Sequence, residues 1–255
     1  MRASVMSNET VTDAAVITSA DLRVVRTAGA PPDTVERLWP LMAVHERTRC
    51  LRFVRDEDRR TFAITRALVR RTLSRYGPTL PEAWRFVTNP HECPFVEPAQ
   101  AGTPPLHFNV SHTRGLVALA VTRGHRLGVD VEQVARRVMD GVADRHFAAA
   151  EVRDLRALPA ADQATAFFEY WTLKEAYIKA RGMGLALPLH AFAFGLRPPL
   201  APTITFADGF DDVAERWQFW QAWPTPDHRL SLAIERDGHD LPVTIVDLPL
   251  ADLLP

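Results

Sequence analysis

The chain lacks the features that mark several large classes of protein. Its 255 residues include only two cysteines, Cys50 and Cys93, and their spacing matches neither a zinc site nor a disulfide framework. One disulfide is compatible with this count, but so few cysteines are typical of a reducing compartment, and we expect a cytoplasmic protein. No uncharged run approaches the eighteen or so residues of a membrane span. The N-terminus lacks a basic segment followed by an apolar core, so we expect neither a signal peptide nor a membrane protein.

The chain also lacks an excess of charge of one sign. The formal net charge is −1, so composition gives no reason to expect a nucleic-acid partner. Positive charge is nevertheless concentrated early in the chain. The arginines between residues 44 and 76 are Arg47, Arg49, Arg52, Arg55, Arg59, Arg60, Arg66, Arg70, Arg71 and Arg75. A basic first half suits an anionic ligand, although several of these arginines are expected to form an ordinary solvated helix face.

Hydrophobic periodicity predicts an α+β fold in two similar halves. Residues 1–18 are polar and rich in small side chains, and we expect a disordered lead-in. We place an N-terminal α+β half at 19–122 and a C-terminal α+β half at 123–255, because each contains a long predicted helix that ends at a glycine. Such an internal echo favours a site between the halves.

Some segments give sharper local predictions. A long helix is expected from Ala160 to Arg181, ending at Gly182. Leu116–Thr122 and Leu127–Glu132 have the composition of strands. Because only four residues connect these two strands, we predict that they pair as a hairpin.

A short strand carries two acids that suit a metal ion. In Gly128-Val-Asp-Val-Glu132 the valines alternate with Asp130 and Glu132, which places both carboxylates on one face of a strand. Carboxylate oxygens are the ligands that Mg²⁺ prefers. The solvated face of an edge strand would show the same alternation, so this segment alone does not decide between the two.

A helical segment supplies a third acid and a cation. In Trp171-Thr-Leu-Lys-Glu-Ala-Tyr-Ile-Lys179, Glu175 and Lys179 are four residues apart and share a helix face. Glu175 could join the two strand acids, and Lys179 could bind a phosphate oxygen one turn further on. The same spacing also gives an ordinary helix ion pair, worth about 0.2–0.5 kcal/mol.

Other residues between these segments could contribute. Ser111 and His112 follow a predicted strand, where both side chains could bind phosphate oxygens, or could simply form a structural turn. Adjacent strand residues face opposite ways, so a Ser–His catalytic pair is not expected. Glu151 opens a predicted helix, where the helix dipole favours a carboxylate. If it faced the other acids, Glu151 could act as a general base.

Taken in order, these features resemble a known enzyme family. A basic helix is followed by Phe108-Asn-Val-Ser-His112, the acidic strand, Glu151 and Trp171–Lys179. This order, from about residue 47 to 189, and the chain length resemble the two-halves-in-one-chain members of the Sfp-type 4′-phosphopantetheinyl transferases. The resemblance implies the pseudo-twofold fold of that family, with the active site between the halves, and a monomer.

The resemblance also implies a reaction. The family transfers 4′-phosphopantetheine from coenzyme A to a serine hydroxyl of an apo-carrier protein, with Mg²⁺ or alternatively Mn²⁺, and releases adenosine 3′,5′-bisphosphate. The carrier can be an acyl, polyketide or peptidyl carrier, and the sequence does not rank these. Because the nucleophile belongs to the carrier, no activated nucleophile is expected in this chain.

Matching residues take on the roles that the family's motifs imply. Asp130, Glu132 and Glu175 match the magnesium ligands, and Glu151, Glu175 and Lys179 match catalytic residues, with Glu151 as general base. The residues that match coenzyme A contacts are Arg47, Arg49, Arg52, Ser111, His112, Lys174 and Lys179.

One motif departs from the family pattern, and one surface is assigned to the carrier. Where the family commonly has Gly-Lys-Pro or Gly-Arg-Pro, this chain has Glu92-Cys93-Pro94, so a basic contact to coenzyme A is missing or comes from elsewhere. Residues 134–158 carry apolar and basic side chains that could receive an acidic carrier helix. The candidate residues for this contact are Val134, Val138, Met139 and Arg145.

Two other functions are alternatives to this transferase. A metal-dependent nucleotide hydrolase would need the same acids with water as nucleophile and no carrier surface. A catalytically silent carrier-binding protein would need the surface without the metal acids, and the presence of all three acids disfavours it.

Overall fold

The computed structural model describes residues 19–134, 141–196 and 200–254. The predicted lead-in at 1–18 lies outside these residues, and its disorder stays a prediction. The described chain combines helices with mainly antiparallel sheets, which confirms the α+β class. None of its helices is long and apolar enough to cross a membrane.

The secondary structure of the described residues agrees closely with the hydrophobic pattern. The strands are β1 (Ala20–Arg26), β2 (Phe86–Thr88), β3 (Pro94–Val96), β4 (Leu106–Thr113), β5 (Leu116–Arg123), β6 (Leu127–Gln133), β7 (Phe192–Gly195), β8 (Thr203–Phe206), β9 (Trp217–Thr225), β10 (His228–Glu235) and β11 (Val243–Asp247). The helices are α1 (Thr34–Leu38), α2 (Val44–Leu51), α3 (Asp56–Leu73), α4 (Pro98–Ala101), α5 (Val142–His146), α6 (Ala149–Ala157) and α7 (Ala160–Arg181). The long helix predicted over 160–181 is confirmed as α7, whereas β2, α4 and α5 were not predicted.

The first sheet has the strand order β11-β1-β5-β4. β1 is antiparallel to β5 and parallel to β11. The predicted β5–β6 hairpin is wrong, because β5 uses one edge for β1 and the other for β4. The chain instead leaves this sheet after β5, and β6 pairs with β10 in a second sheet.

The second sheet repeats the arrangement of the first. Its order is β6-β10-β9, and in both sheets the last of the three strands in the chain lies between the other two, as in β1-β5-β4. A short helix, a long helix and a two-stranded hairpin separate the first strand from the second in each half. These elements are α2, α3 and β2–β3 in one half, and α6, α7 and β7–β8 in the other.

Three hydrophobic clusters show how the layers stack. One joins α3 to the first sheet and a second joins α7 to the second sheet. The third places Leu22 and Ala120 of the first sheet against Val129 and Leu232 of the second. The two sheets therefore pack face to face, each with a long helix on its outer surface.

The edges of β4 and β6 meet where the two sheets adjoin. The backbone N–H of Val129 donates to Asn109 Oδ1 at 2.9 Å, and that of Val131 donates to Ser111 Oγ at 3.4 Å. Side chains of β4 thus accept the hydrogen bonds that a neighbouring strand backbone would otherwise accept. A polar seam of side chain–backbone hydrogen bonds therefore joins β4 to β6 in place of a regular strand ladder.

Candidate functional site

The seam carries the predicted acids on the face that meets α7. Val129 and Val131 of β6 point into the core between the sheets, so Gly128, Asp130 and Glu132 point to the opposite face. The prediction that both carboxylates share one face of a strand is therefore confirmed by the strand itself.

The opposing wall of the site is one stripe of α7. Trp171, Glu175 and Lys179 are spaced four residues apart and are all half-buried, while most neighbouring residues of the helix are buried. Trp171 stacks on Phe167 with ring centroids 5.8 Å apart, which fixes the end of the stripe.

Lys179 connects this stripe to both strands of the seam. Its Nζ donates to Asp130 Oδ1 at 2.6 Å, to Ser111 Oγ at 3.1 Å and to the carbonyl oxygen of Val129 at 3.2 Å. Ser111 Oγ in turn donates to Asp130 Oδ1 at 2.8 Å. The Lys179 side chain keeps 28% of its surface exposed, and these three acceptors account for the three N–H groups of its ammonium, so a bound phosphate would replace one of them.

Glu175 lies in a field of negative charge. Burial, and then the neighbouring Asp130, raises the pKa of Glu175 to about 7; Lys179 opposes the shift and Glu132 adds to it. Glu132 accepts a hydrogen bond from Thr113 Oγ1 of β4 at 3.3 Å. The three predicted metal acids are thus close enough to influence one another electrostatically, and the site favours neutralisation of their charge.

A divalent cation fits these donors in part. The second oxygen of Asp130, Oδ2, is buried without a hydrogen-bond partner among the described residues. However, no group of three or more His, Cys, Asp or Glu side chains within 19–134, 141–196 and 200–254 could hold a metal ion as it stands. The unpartnered oxygen fits a cation that draws its remaining ligands from a bound phosphate and water, as Mg²⁺ does in many sites.

Ser111 and His112 lie within β4, which continues to Thr113, and not in a turn after it. Ser111 is buried in the site, whereas His112 is exposed on the other face. Partial desolvation, followed by the charges of Lys179 and Arg66, lowers the pKa of His112. The structure therefore brings Ser111 into the acid cluster and leaves His112 near it, on the solvent side.

Glu151 and Lys174 are placed differently from the sequence prediction. Both side chains are 0% exposed and form an ion pair of 2.8 Å with each other. Glu151 Oε1 accepts from the N–H of Phe194, and Oε2 accepts from the N–H of Ala148. With every oxygen engaged and no exposed surface, Glu151 cannot reach an incoming hydroxyl in this conformation, and Lys174 cannot reach coenzyme A.

The three arginines predicted to bind coenzyme A also separate. Arg49 and Arg52 are exposed and line a cavity of about 660 Å³ together with His45 and Thr48. Arg47 instead donates from Nε to the carbonyl oxygens of Trp39 and Met42, at 3.2 and 2.9 Å, and lies over the Trp39 ring. Arg49 and Arg52 are available to an anion, and Arg47 supports the backbone beside them.

A second cavity, of about 440 Å³, is lined by residues of β3, β4 and the C-terminal end of α7, including Lys179. Cys93 also lines it, at the position where the family commonly has a basic residue. The residue before it, Glu92, has φ of 60°, a left-handed conformation that glycine adopts without strain. Relative to the Gly-Lys-Pro pattern, the backbone is therefore strained at Glu92, and the positive charge is absent at Cys93.

Asn89 holds the loop that carries Cys93. Its Oδ1 accepts from the N–H groups of His91 and Cys93, and its Nδ2 donates to the carbonyl oxygen of Gly182 at 2.7 Å. Sequence reasoning missed Asn89, and also Asn109 at the seam. The Asn-Pro dipeptide at 89 is a turn signal, but nothing local identifies Gly182 as its partner.

The predicted carrier surface is described only in part. Val134 and Arg145 are described, and Arg145 lies in α5. Val138 and Met139 fall outside the described residues. The docking role of this surface stays a prediction.

Comparison with known proteins gives the same family for both halves. Residues 126–233 match the 4′-phosphopantetheinyl transferase superfamily, and residues 29–124 match the N-terminal domain of 4′-phosphopantetheinyl transferases. A 4′-phosphopantetheinyl transferase of Bacillus subtilis is 30% identical over 176 residues, which is 69% of this chain and 76% of that protein. The transferase Sfp of Bacillus subtilis (strain 168) is 30% identical over 63% of this chain and 69% of its own length.

Two further proteins extend the comparison. The 4′-phosphopantetheinyl transferase HetI of Nostoc is 33% identical over 61% of this chain and 66% of its own length. The crystal structure of Thermotoga maritima holo-[acyl-carrier-protein] synthase gives a TM-score of 0.35 at 20% identity, covering 44% of this chain and 62% of that one. From the matches over both halves, the chain belongs to the Sfp-type 4′-phosphopantetheinyl transferase family.

Proposed function

We propose that this protein transfers 4′-phosphopantetheine from coenzyme A to a serine hydroxyl of an apo-carrier protein and releases adenosine 3′,5′-bisphosphate. The observation that carries the proposal is the convergence of the partly exposed Lys179 with the buried Asp130 and Ser111 where β4, β6 and α7 meet. A fixed ammonium beside a cluster of acids suits a pyrophosphate that arrives with a divalent cation.

The cation that suits this site is Mg²⁺, with Mn²⁺ as a substitute that shares its preference for oxygen ligands. Asp130, Glu132 and Glu175 would hold it, and the unpartnered Asp130 Oδ2 supports that assignment. When bound, the ion neutralises charge that develops on the pyrophosphate.

The protein's own residues orient coenzyme A in this proposal. Lys179 and Ser111 bind the leaving phosphate, and His112, exposed on the other face of β4, binds a phosphate oxygen further out. Arg49 and Arg52 hold a second anionic group, the 3′-phosphate, in the cavity that they line. Arg47 and Lys174 contribute indirectly, through the backbone segments that they hold.

The proton of the carrier serine needs an acceptor that the serine can reach. The buried Glu151 does not offer one in this conformation. Glu175 is half-buried, and this burial, followed by the charge of Asp130, raises its pKa to about 7. A Glu175 that helps to hold the cation must be ionised, so its protonation near neutral pH belongs to the metal-free protein and competes with metal binding.

We also propose that the two halves, 19–122 and 123–255, are related by a pseudo-twofold axis, with the site between them. The shared strand order of the two sheets supports this relation. β11 is an exception, because it follows the second half in the chain but pairs with β1 of the first. A cytoplasmic monomer remains part of the proposal and rests on the sequence alone.

The product adenosine 3′,5′-bisphosphate provides the test. The protein is incubated with coenzyme A and Mg²⁺, with and without several apo-carriers, and the bisphosphate is measured by chromatography. The proposal predicts release that depends on the apo-carrier and stops when its serine is replaced by alanine. Equal release without any carrier would instead identify a nucleotide hydrolase.

A further inference from the structure

Each half contains a buried ion pair that joins a short helix to the long helix after it. In the C-terminal half, Glu151 Oε2 lies 2.8 Å from Lys174 Nζ. In the N-terminal half, Glu46 Oε2 lies 2.8 Å from Arg70 Nη2, and these side chains are 4% and 1% exposed. Charges so far from water are stable only when every polar atom finds a partner.

The two carboxylates occupy the same place in their helices. Glu46 is the third residue of α2, and its Oε2 accepts from the N–H of Ala43 just before the helix at 2.8 Å. Glu151 is the third residue of α6, and its Oε2 accepts from the N–H of Ala148 at 2.8 Å. Each glutamate therefore caps its short helix and neutralises a cation of the long one.

The two cations correspond in the same way. Arg70 follows the start of α3 by as many residues as Lys174 follows the start of α7. Arg70 Nη1 donates to the carbonyl oxygens of Pro81 and Trp84, at 3.0 and 2.9 Å. Lys174 Nζ donates to those of Leu189 and Phe192, both at 2.8 Å.

An aromatic ring completes each arrangement. The Arg70 guanidinium lies 5.2 Å from the ring centroid of Phe86, the first residue of β2. The Lys174 ammonium lies 4.4 Å from that of Phe192, the first residue of β7. In both halves one cation thus ties the long helix to the short helix before it and to the hairpin after it.

We propose that Glu46–Arg70 and Glu151–Lys174 are two copies of one positioning clamp. The first positions α2, which carries Arg49 and Arg52, and the second positions α7, which carries Glu175 and Lys179. Glu151 on this view is a positioning residue and not the acceptor of the serine proton. The proposal rests on the transfer function for its kinetic consequences, but its structural part can be tested without activity.

The test compares Glu46→Gln with Glu151→Gln, since glutamine keeps the size and the capping oxygen but removes the charge. Urea denaturation followed by circular dichroism gives the midpoint, and transfer assays at a temperature where both variants are folded give kcat and KM. We expect both midpoints to fall, because each variant leaves a buried cation unpaired, and that of Glu151→Gln to fall further, because its amide NH2 would also face the N–H of Phe194. We expect Glu46→Gln to act mainly on KM for coenzyme A, and Glu151→Gln to lower kcat by less than about tenfold.

A proton acceptor would behave differently. Loss of a general base lowers kcat by about 10²–10⁴-fold and spares the fold, so a stable Glu151→Gln variant with a loss of that size would overturn the proposal. A kcat loss of that size alongside an unfolding midpoint shift would overturn it as well. If neither glutamine variant folds, the shared failure supports the clamp, because replacing a base with its isostere does not by itself unfold a protein.

The Lys174→Arg variant adds an independent arm. Because the other half uses arginine at the equivalent position, we expect this variant to keep the wild-type midpoint and at least a third of its kcat. A collapse of the fold in Lys174→Arg would show that the two sites are not equivalent. If the wild type transfers nothing, the proposed function fails. The urea-denaturation midpoints would still decide whether Glu46–Arg70 and Glu151–Lys174 have the same structural role.

Discussion

A Cβ atom on Gly128 would lie 2.1 Å from the carbonyl oxygen of Ala176. It would also lie 2.4 Å from the backbone nitrogen of Ala180, so α7 rests directly on the backbone of β6. This contact sets the distance between the acids of β6 and the stripe of α7 that carries Lys179. The glycine of the acidic strand is therefore as much a part of the site as the side chains.

Gly128→Ala should separate the two walls of the site. Because the obstructing atoms belong to the helix backbone, α7 must shift, and we expect the free energy of unfolding to fall by about 2 kcal/mol or more. Transfer should fall at least tenfold in the protein that remains folded. Gly77→Ala is the matched control, since Gly77 has open space around it and an ordinary φ. Unchanged stability and activity in Gly128→Ala would mean that α7 does not depend on this contact.

The lysines allow the site to be probed without mutation. Lys174 and Lys179 are the two lysines of the chain, and they are 0% and 28% exposed. We expect an acetylating reagent to modify Lys179 and to spare Lys174, as read by peptide mass spectrometry. Coenzyme A with Mg²⁺ should slow labelling of Lys179 several-fold, because phosphate oxygens would cover the ammonium.

The N-terminal amine serves as the internal control: the rate for Lys179 is divided by the rate for this amine, because the thiol of coenzyme A consumes part of the reagent and slows all amines alike. Fast modification of Lys174 in the folded protein would contradict its burial. Labelling of Lys179 that ignores coenzyme A would remove this lysine from the binding site.

Glu175 should make stability depend on pH in a defined direction. Burial, and then the charge of Asp130, raises its pKa in the folded protein to about 7 from an ordinary 4.5. Between these values the folded state holds a proton that the unfolded state has released, so stability falls as pH rises from 4.5 to 7 and stays reduced above 7. We expect Glu175→Gln to raise the free energy of unfolding by about 2 kcal/mol at pH 8 and to have little effect at pH 4.5. Urea denaturation at the two pH values measures this, and equal effects at both would disprove the raised pKa.

Replacing Glu92 with glycine should stabilise the protein, because the backbone at this position has a left-handed conformation that glycine adopts without strain. A left-handed conformation costs an L-residue about 1 kcal/mol, so we expect Glu92→Gly to raise the free energy of unfolding by roughly that amount. Glu97→Gly is the control, because Glu97 has φ of −51° and should lose stability. A fall in stability for Glu92→Gly, measured by urea denaturation, would show that the Glu92 side chain makes contacts that outweigh the strain.

The sequence predicted the parts of the site that depend on local periodicity. Alternation in β6 placed Asp130 and Glu132 on one face, and the helical period placed Glu175 and Lys179 on another. The ends of α7 were also predictable, since Pro159 lies just before the helix and Gly182 just after it. These features depend on residues within a few positions of one another.

Partners distant in the chain could not be predicted in the same way. The short connection after β5 suggested a hairpin, but β5 is buried along nearly its whole length and takes β1 and β4 as neighbours. Glu151 was correctly seen as a residue that favours a helix start, yet nothing local identifies Lys174 as its partner. The likeness of Glu46 and Glu151 was not visible in the sequence either, because each glutamate is recognised by a buried partner, Arg70 or Lys174, that lies more than twenty residues further along the chain.

The most direct test of the proposed transfer is the intact mass of an apo-carrier protein after incubation with this protein, coenzyme A and Mg²⁺. Wild-type protein should add the mass of one phosphopantetheine group to the carrier serine, and Glu175→Ala, folded by circular dichroism, should add none. A carrier of unchanged mass across acyl, polyketide and peptidyl types, or full transfer by Glu175→Ala, would contradict the account.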